Sequence, residues 1–326
     1  MDLWVPDVRL ARCAPRLIDA TGRFNSPLTQ TFRSITRPGD RWGFRVDYQS
    51  LTGLDRARTE ALVASMRGAA NRLIFSPPDY VQRGSWSTPE LIVNGSFANG
   101  STGWTASSAT LVAADRLARV QNSGAASGFI ANSTGLTLTT SVPYVARAIF
   151  APGNKSAWKV TGGTSAGGAT AFTSGSLTDP SIYTVGFVPA SATFFLSLVC
   201  NTAVSADFVH YVYASLSRCA LVNGANQTGS GLIIDGLPNS TTGLLLPGDW
   251  IEVNLELKRI TAPLNSDGSG NGFIQFSPPL RTSPADNTPI IVNAPFGRFI
   301  YSGNENGWQT EPGRFATSSF DMVEAA

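Results

Sequence analysis

Between residues 87 and 218 charge almost vanishes, while short runs of alternating apolar residues recur one after another. They fall at 108–113, 117–121, 127–131, 144–150, 157–160, 182–187, 193–200 and 207–216, with Gly, Asn or Pro between them. A period of two points successive side chains to opposite faces, so each run has one face to bury. Many short strands at this spacing predict a β-sandwich, of jelly-roll type. The chain's 32 Gly and 20 Pro supply the turns such a fold needs. A hydrophobic content of 42% is enough for packed cores and argues against disorder.

The flanks carry more charge, with opposite signs. Residues 1–86 hold 13 Arg against 8 acids, and residues 219–326 hold 5 basic residues against 10 acids. These parts could attract each other, within a subunit or between neighbours. The formal net charge of +2 is too small to predict nucleic-acid binding. Residues 24–50 predict a β-hairpin about Arg37-Pro38-Gly39-Asp40, where Pro presets φ and Gly takes the left-handed position. Behind that turn Trp42, Phe44, Val46 and Tyr48 alternate with Gly43, Arg45, Asp47 and Gln49. A helix is predicted over 53–69, with Thr52 as cap and Asp55 three residues on. Its apolar stripe is Leu54, Ala57, Ala61, Leu62 and Met66, and Gly68 is its stop signal. A strand follows at Arg72–Phe75. After residue 219 the strand candidates are Leu232–Asp235, Trp250–Val253, Glu256–Thr261, Gly272–Phe276, Ile290–Val292 and Gly297–Tyr301. The fold class is therefore mainly β: a strand-strand-helix unit, a barrel-like C-terminal part and a sandwich between them.

Two sets of motifs resemble known families. In the flanks these are Phe24-Asn25-Ser26-Pro27-Leu28, Asp40-Arg41-Trp42 and Arg83-Gly84-Ser85, then Leu221-Val222-Asn223-Gly224, Leu246-Pro247-Gly248-Asp249-Trp250 and Glu305-Asn306-Gly307-Trp308. This pattern resembles the distal tail proteins, or baseplate-hub proteins, of siphophages. In the compact form of that family the Arg-Gly segment runs almost directly into the Val-Asn-Gly segment. Here about 130 residues separate them, as an exposed loop would tolerate. The resemblance thus implies a discontinuous core of residues 1–86 and 219–326, with 87–218 as an inserted domain that hangs off it and projects outward. Within the insert, Asn94-Gly95-Ser96-Phe97 and Gly103-Trp104 resemble the opening of carbohydrate-binding jelly rolls. Ala98 stands where that family often has an acid, so no metal is expected.

The resemblance implies a structural virion protein of the tail tip, made in the host cytoplasm. It would form a homohexameric ring between the tail tube protein and the receptor-binding hub, with host-surface polysaccharide as a further partner of the insert. The insert's sugar-binding candidates are Trp158, Tyr144, Phe150, Tyr183 and Trp104, since an aromatic ring covers the C–H face of a pyranose. Trp158 is the candidate for exposure and Trp104 the candidate for the core. A ring needs two complementary patches per subunit. Arg33, Arg41 and Arg45 on one side, and Asp249 and Glu252 on the other, are the candidates. The same arginines, with Arg37, would alternatively face a tube lumen.

The sequence predicts no enzyme, cofactor or metal. His210, the lone histidine, sits in an alternating run, and no Gly-x-Ser-x-Gly introduces a nucleophile. Glu90, Asp115, Asp179 and Asp207 are the insert's only acids, and none lies in an aromatic-rich loop. The loop from Asn265 to Gly272 has Phe276 where a calcium loop needs Glu. Gly162–Gly168 lacks the Lys-Ser/Thr of a phosphate loop and reads as a turn. Cys13, Cys200 and Cys219 read as reduced thiols, a Cys200–Cys219 bridge being the alternative. The start lacks the basic and apolar stretches of a signal peptide, and no run is long enough to span a membrane. Two other function classes remain open: a stand-alone lectin-like adhesin and a glycan depolymerase.

Overall fold

The structure, a computed structural model, describes residues 2–5, 10–25, 27–35, 39–124, 126–179, 181–303, 305, 307–312 and 315–325. Among them the fold is mainly β, with one α-helix at Gly53–Met66.

The first unit is a sheet drawn from both ends of the chain. Its order is Asp2–Trp4, Arg72–Phe75, Gly297–Tyr301, Phe315–Glu324, Arg41–Leu51 and Leu10–Ile18, with Gln309–Glu311 beside Phe315–Glu324. The alternation in 42–48 places Trp42, Phe44, Val46 and Tyr48 inward, where Phe75, Phe299, Phe320 and Met322 meet them. The strand partners of 41–51 differ from the predicted hairpin. It pairs with Leu10–Ile18 and Phe315–Glu324, while Gly22–Asn25 and Phe32–Ile35 form a separate two-stranded hairpin. A lone hairpin buries no face, so the apolar run joins the larger sheet. Of the predicted turn, Arg37 and Pro38 lie outside the described residues; Gly39 has φ +142 and Asp40 Oδ1 accepts from Ala20 N at 2.7 Å. Phe315–Glu324 escaped the sequence reading. Its inward set, Ala316, Ser318, Phe320, Met322 and Glu324, mixes two polar residues into the apolar face and blurs the alternation.

The helix packs on this sheet through Thr59, Leu62, Val63 and Met66. Leu54, Ala57 and Ala61 of the predicted stripe stay exposed. Alanines offer little area to bury, so the helix turns its bulkier side chains inward. Thr59 can enter the core because its hydroxyl donates to Asp55 O at 2.9 Å. Thr52 makes no side-chain cap, and the helix ends on left-handed Arg67, one residue before Gly68.

The second unit is a closed barrel, in the order Ala220–Val222, Gly231–Asp235, Gly272–Ser277, Glu256–Ile260, Trp250–Val253 and Pro289–Ile291. Leu232, Ile234, Ile251, Ile260, Ile274 and Ile290 fill it, and Trp86 packs into the same core. Trp250 faces the sheet instead, edge-on to Trp42 at 4.8 Å, and ties the two units together.

The third unit is the sandwich. One sheet runs Phe172–Thr173, Trp158–Gly163, Thr193–Cys200, Gly128–Asn132 and Trp104–Ser107, with Leu136–Thr137 also pairing to Thr193–Cys200. The other runs Ile182–Phe187, Tyr144–Ala151, Phe208–Arg218, Leu117–Asn122 and Ala109–Ala114. The two sheets share one apolar core.

The sandwich is docked on the rest of the chain, where the sequence reading expects an outward-hanging module. Residues 144–150 are buried on both faces. Tyr144, Ala146, Ala148 and Phe150 point into the sandwich. Val145 packs with Cys219, Leu221 and Ile291, and Ile149 with Ile74 and Phe296. Between them Arg147, fully buried, donates to Glu252 Oε2 at 3.1 Å, Asn293 O at 2.9 Å and Ala294 O at 3.0 Å, with its guanidinium over the Phe296 ring.

Candidate functional site

The aromatics predicted to hold sugar sit mostly in the sandwich core. Trp158 is 0% exposed, Phe150 stacks on it at 5.7 Å, and Tyr144 packs near Phe187 at 6.4 Å. Trp158 Nε1 donates to His210 O at 3.1 Å, so even its polar tip is used internally. Tyr183 is half-buried against the core, and its hydroxyl is pushed up by burial. Trp104 is buried beside Phe97 and donates to Asn94 O at 3.2 Å. The Asn-Gly motif explains that placement. Asn94 takes φ +55 and donates to Gly100 O and Thr102 O, and a Cβ on Gly95 would sit 2.0 Å from Ala214 O. The motif is a packing device. Buried rings offer no face to a ligand, so Trp158, Tyr144 and Phe150 are corrected to core positions, and Trp104, also offered as a sugar-binding candidate, takes the core position favoured for it.

Two ring-interface candidates are corrected likewise. The Asp249 carboxylate accepts from Arg83 N at 2.7 Å, Gly84 N at 3.2 Å and Leu246 N at 2.8 Å, clamping the Arg-Gly segment onto the barrel. A Cβ on Gly84 would meet Leu244 O at 2.0 Å, which accounts for the glycine. Glu252 is spent on Arg147 and on Phe296 N, at 2.7 Å. Burial pushes its carboxyl up, and Arg147 and the Phe296 amide pull it back. Neither acid is available to a neighbour. Arg33 is exposed on the 22–35 hairpin, Arg41 is half-buried, and Arg45 is exposed and paired with Asp47 at 3.2 Å.

That hairpin leaves Phe24, Leu28, Phe32 and Ile35 all at least 60% exposed. Arg23 and Arg33 stand opposite Ser34 and Phe24 in its register. It is the largest run of exposed apolar side chains among the described residues; the sequence singled out Arg33 on it as an interface candidate, and not these apolar residues.

An open groove of about 620 Å³ lies on the outer face of the terminal sheet. Strand alternation builds it: Arg45, Asp47 and Gln49 point outward beside Thr317 and Ser319 of the neighbouring strand, where Ser319 stands opposite Asp47. Trp308 and Gln309 form one wall, and Trp308 is 44% exposed. Register slips on both sides of Arg41–Leu51, and Ser50 takes φ +53, so the backbone bulges at the groove. Bulges of this kind re-aim side chains. The sequence signal for Trp308 is a lone aromatic in the polar stretch 302–312, without the alternation that would bury it.

Other ionisable groups are used structurally. Lys258, fully buried, donates to Glu256 Oε2 at 2.7 Å and Pro279 O at 2.9 Å. Arg281 lies 3.6 Å from Glu256 and 3.7 Å from Glu324, and Glu324 accepts from Leu257 N at 2.7 Å. Burial lifts the Glu324 carboxyl to about 7, against the pull of Arg281 and Lys258. Asp267 accepts from Asn271 N and Ser269 N, which lowers its carboxyl and closes the Asn265–Gly272 loop. Among the described residues no group of His, Cys, Asp and Glu is arranged to hold a metal. All three cysteines are free, and burial raises the Cys200 thiol to about 11 and the Cys13 thiol to about 12. His210 sits half-buried with Nδ1 2.5 Å from Pro152 O.

No family model matches this sequence, and no curated protein does. Among solved structures, an arabinose-bound α-L-arabinofuranosidase is similar at 14% identity and a TM-score of 0.32. The likeness covers 43% of this chain and 27% of the enzyme's chain, and at that score it carries no argument about function.

Proposed function

We propose that this chain is a ring-forming structural protein of a phage tail tip, joining tail tube to receptor-binding hub and presenting the sandwich toward host-surface polysaccharide. The observation that carries the reading is the 22–35 hairpin. Phe24, Leu28, Phe32 and Ile35 stand in water, a state that favours association. A contact between such a hairpin and a different patch on the next subunit is heterologous, and closes into a ring when the rotation allows. The docked sandwich fits this role, because a buried seam holds it at a fixed angle to the body that would form the ring. With Asp249 and Glu252 occupied internally, the ring contact is apolar with arginines at its margin, in place of two facing charged patches.

Light scattering on the purified chain tests this. A mass of about six chains is expected, falling to one chain in Phe32→Ser/Ile35→Ser with the melting temperature unchanged. A wild-type monomer that persists at high concentration overturns the ring, and favours the adhesin reading.

A further inference from the structure

We propose that the groove walled by Trp308 binds a neutral oligosaccharide. It lies on the terminal sheet, apart from the sandwich where sugar binding is expected, and the proposal rests on neither the ring nor the sandwich. Trp308 is 44% exposed, whereas Trp42, Trp86, Trp104, Trp158 and Trp250 are all buried. An exposed indole beside a polar floor suits a ligand with one apolar face and a hydroxylated edge, which describes a pyranose.

The floor selects the charge of that ligand. Arg45 and Asp47 pair at 3.2 Å, so the two charges cancel where a sugar edge would lie. An anionic sugar would have to draw Arg45 away from Asp47, and a cationic one would have to draw Asp47 away from Arg45. A neutral sugar needs neither, and takes hydrogen bonds from the guanidinium while donating hydroxyls to the carboxylate. Gln49, Gln309, Thr317 and Ser319 add donors and acceptors that carry no charge. The volume of about 620 Å³ exceeds what one sugar ring fills and lies within the ~300–1,000 Å³ of small-ligand sites. The paired bulges at Ser50 and beside Leu10 splay the outward side chains of the central strand into this shape.

Saturation-transfer NMR on the full chain with cellotetraose, maltotetraose, mannotetraose and galactotetraose, each at millimolar concentration, tests the site. Saturation of sugar C–H protons by at least one tetraose is expected. Trp308→Ala should weaken that binding on the order of tenfold, and Trp308→Phe should restore most of it. Gln49→Ala should weaken it less. Because Trp308 is exposed, its alanine variant should melt with the wild type, which separates a lost ligand contact from a lost fold. Absence of transfer with all four sugars overturns the proposal, as does binding that Trp308→Ala leaves unchanged. Light scattering on the same samples reports the ring separately.

Discussion

Arg147 enters the seam between sandwich and barrel fully buried, meeting Glu252, Ser215, Asn293 and Ala294. A buried pair of this kind is weak evidence for stability, but removing one partner strands a charge. Arg147→Ala should therefore cost about 3–5 kcal/mol in urea unfolding. Arg147→Met with Glu252→Gln should cost less than half of that, since the glutamine still accepts from Phe296 N. Glu324 sets a pH dependence of its own. Its carboxyl is raised from 4.5 to about 7 by burial, with Arg281 and Lys258 opposing and Glu256 adding to the rise. A carboxyl raised in the folded state binds its proton more tightly there than in the unfolded chain. The associated stability is fully present below pH 4.5 and is lost as pH rises through 7. Glu324→Gln should remove this loss, so the variant should gain ~3 kcal/mol on wild type between pH 4.5 and pH 8. Equal slopes for the two proteins in denaturation between those pH values would contradict the assignment.

The strand Tyr144–Ala151 shows how one element can serve two cores. Its even positions close the sandwich and its odd positions close the seam. The sequence carried this signal: Val145 and Ile149 alternate with the inward set, where a sandwich strand facing water would show Ser or Thr. Tyr144 and Phe150 share the inward set with Ala146 and Ala148, so their burial was legible too. Removal of residues 87–218 with rejoined ends should thus lower the melting temperature of the remaining chain, because Glu252, Cys219, Ile291 and Phe296 lose their cover. Adding Glu252→Gln should recover part of the loss by removing the stranded charge. A shortened chain that melts with the full protein would show that the seam contributes nothing.

At the scale of the whole molecule, three apolar cores meet through few but buried joints. Trp250 links barrel to terminal sheet, Glu324 and Arg281 reinforce that junction, and Arg147 links barrel to sandwich. Charge asymmetry between the flanks is partly spent inside the chain, as in Arg16 with Asp321 at 3.0 Å and Arg83 with Asp249 at 3.7 Å. What remains for a neighbour is the apolar hairpin, and so the proposed assembly should survive high salt. Screening weakens exposed ion pairs but leaves hydrophobic contact intact or strengthened. A ring that dissociates in molar sodium chloride, followed by light scattering, would return the interface to the arginines.

Period-two alternation and turn residues determined most of the strands and the mainly β class, and a helical-period apolar stripe determined the position of the helix Gly53–Met66, because these depend on neighbours within a few residues. They missed Phe315–Glu324, whose inward face is partly polar, and misassigned the partner of Arg41–Leu51, because pairing joins residues far apart in the chain. Alternation says that a face is buried and leaves open what covers it. The fates of Trp158, Glu252, Asp249 and Trp308 were decided by which surfaces meet in three dimensions, where removal from water and hydrogen bonds to distant backbone settle whether a side chain is core, clamp or exposed wall.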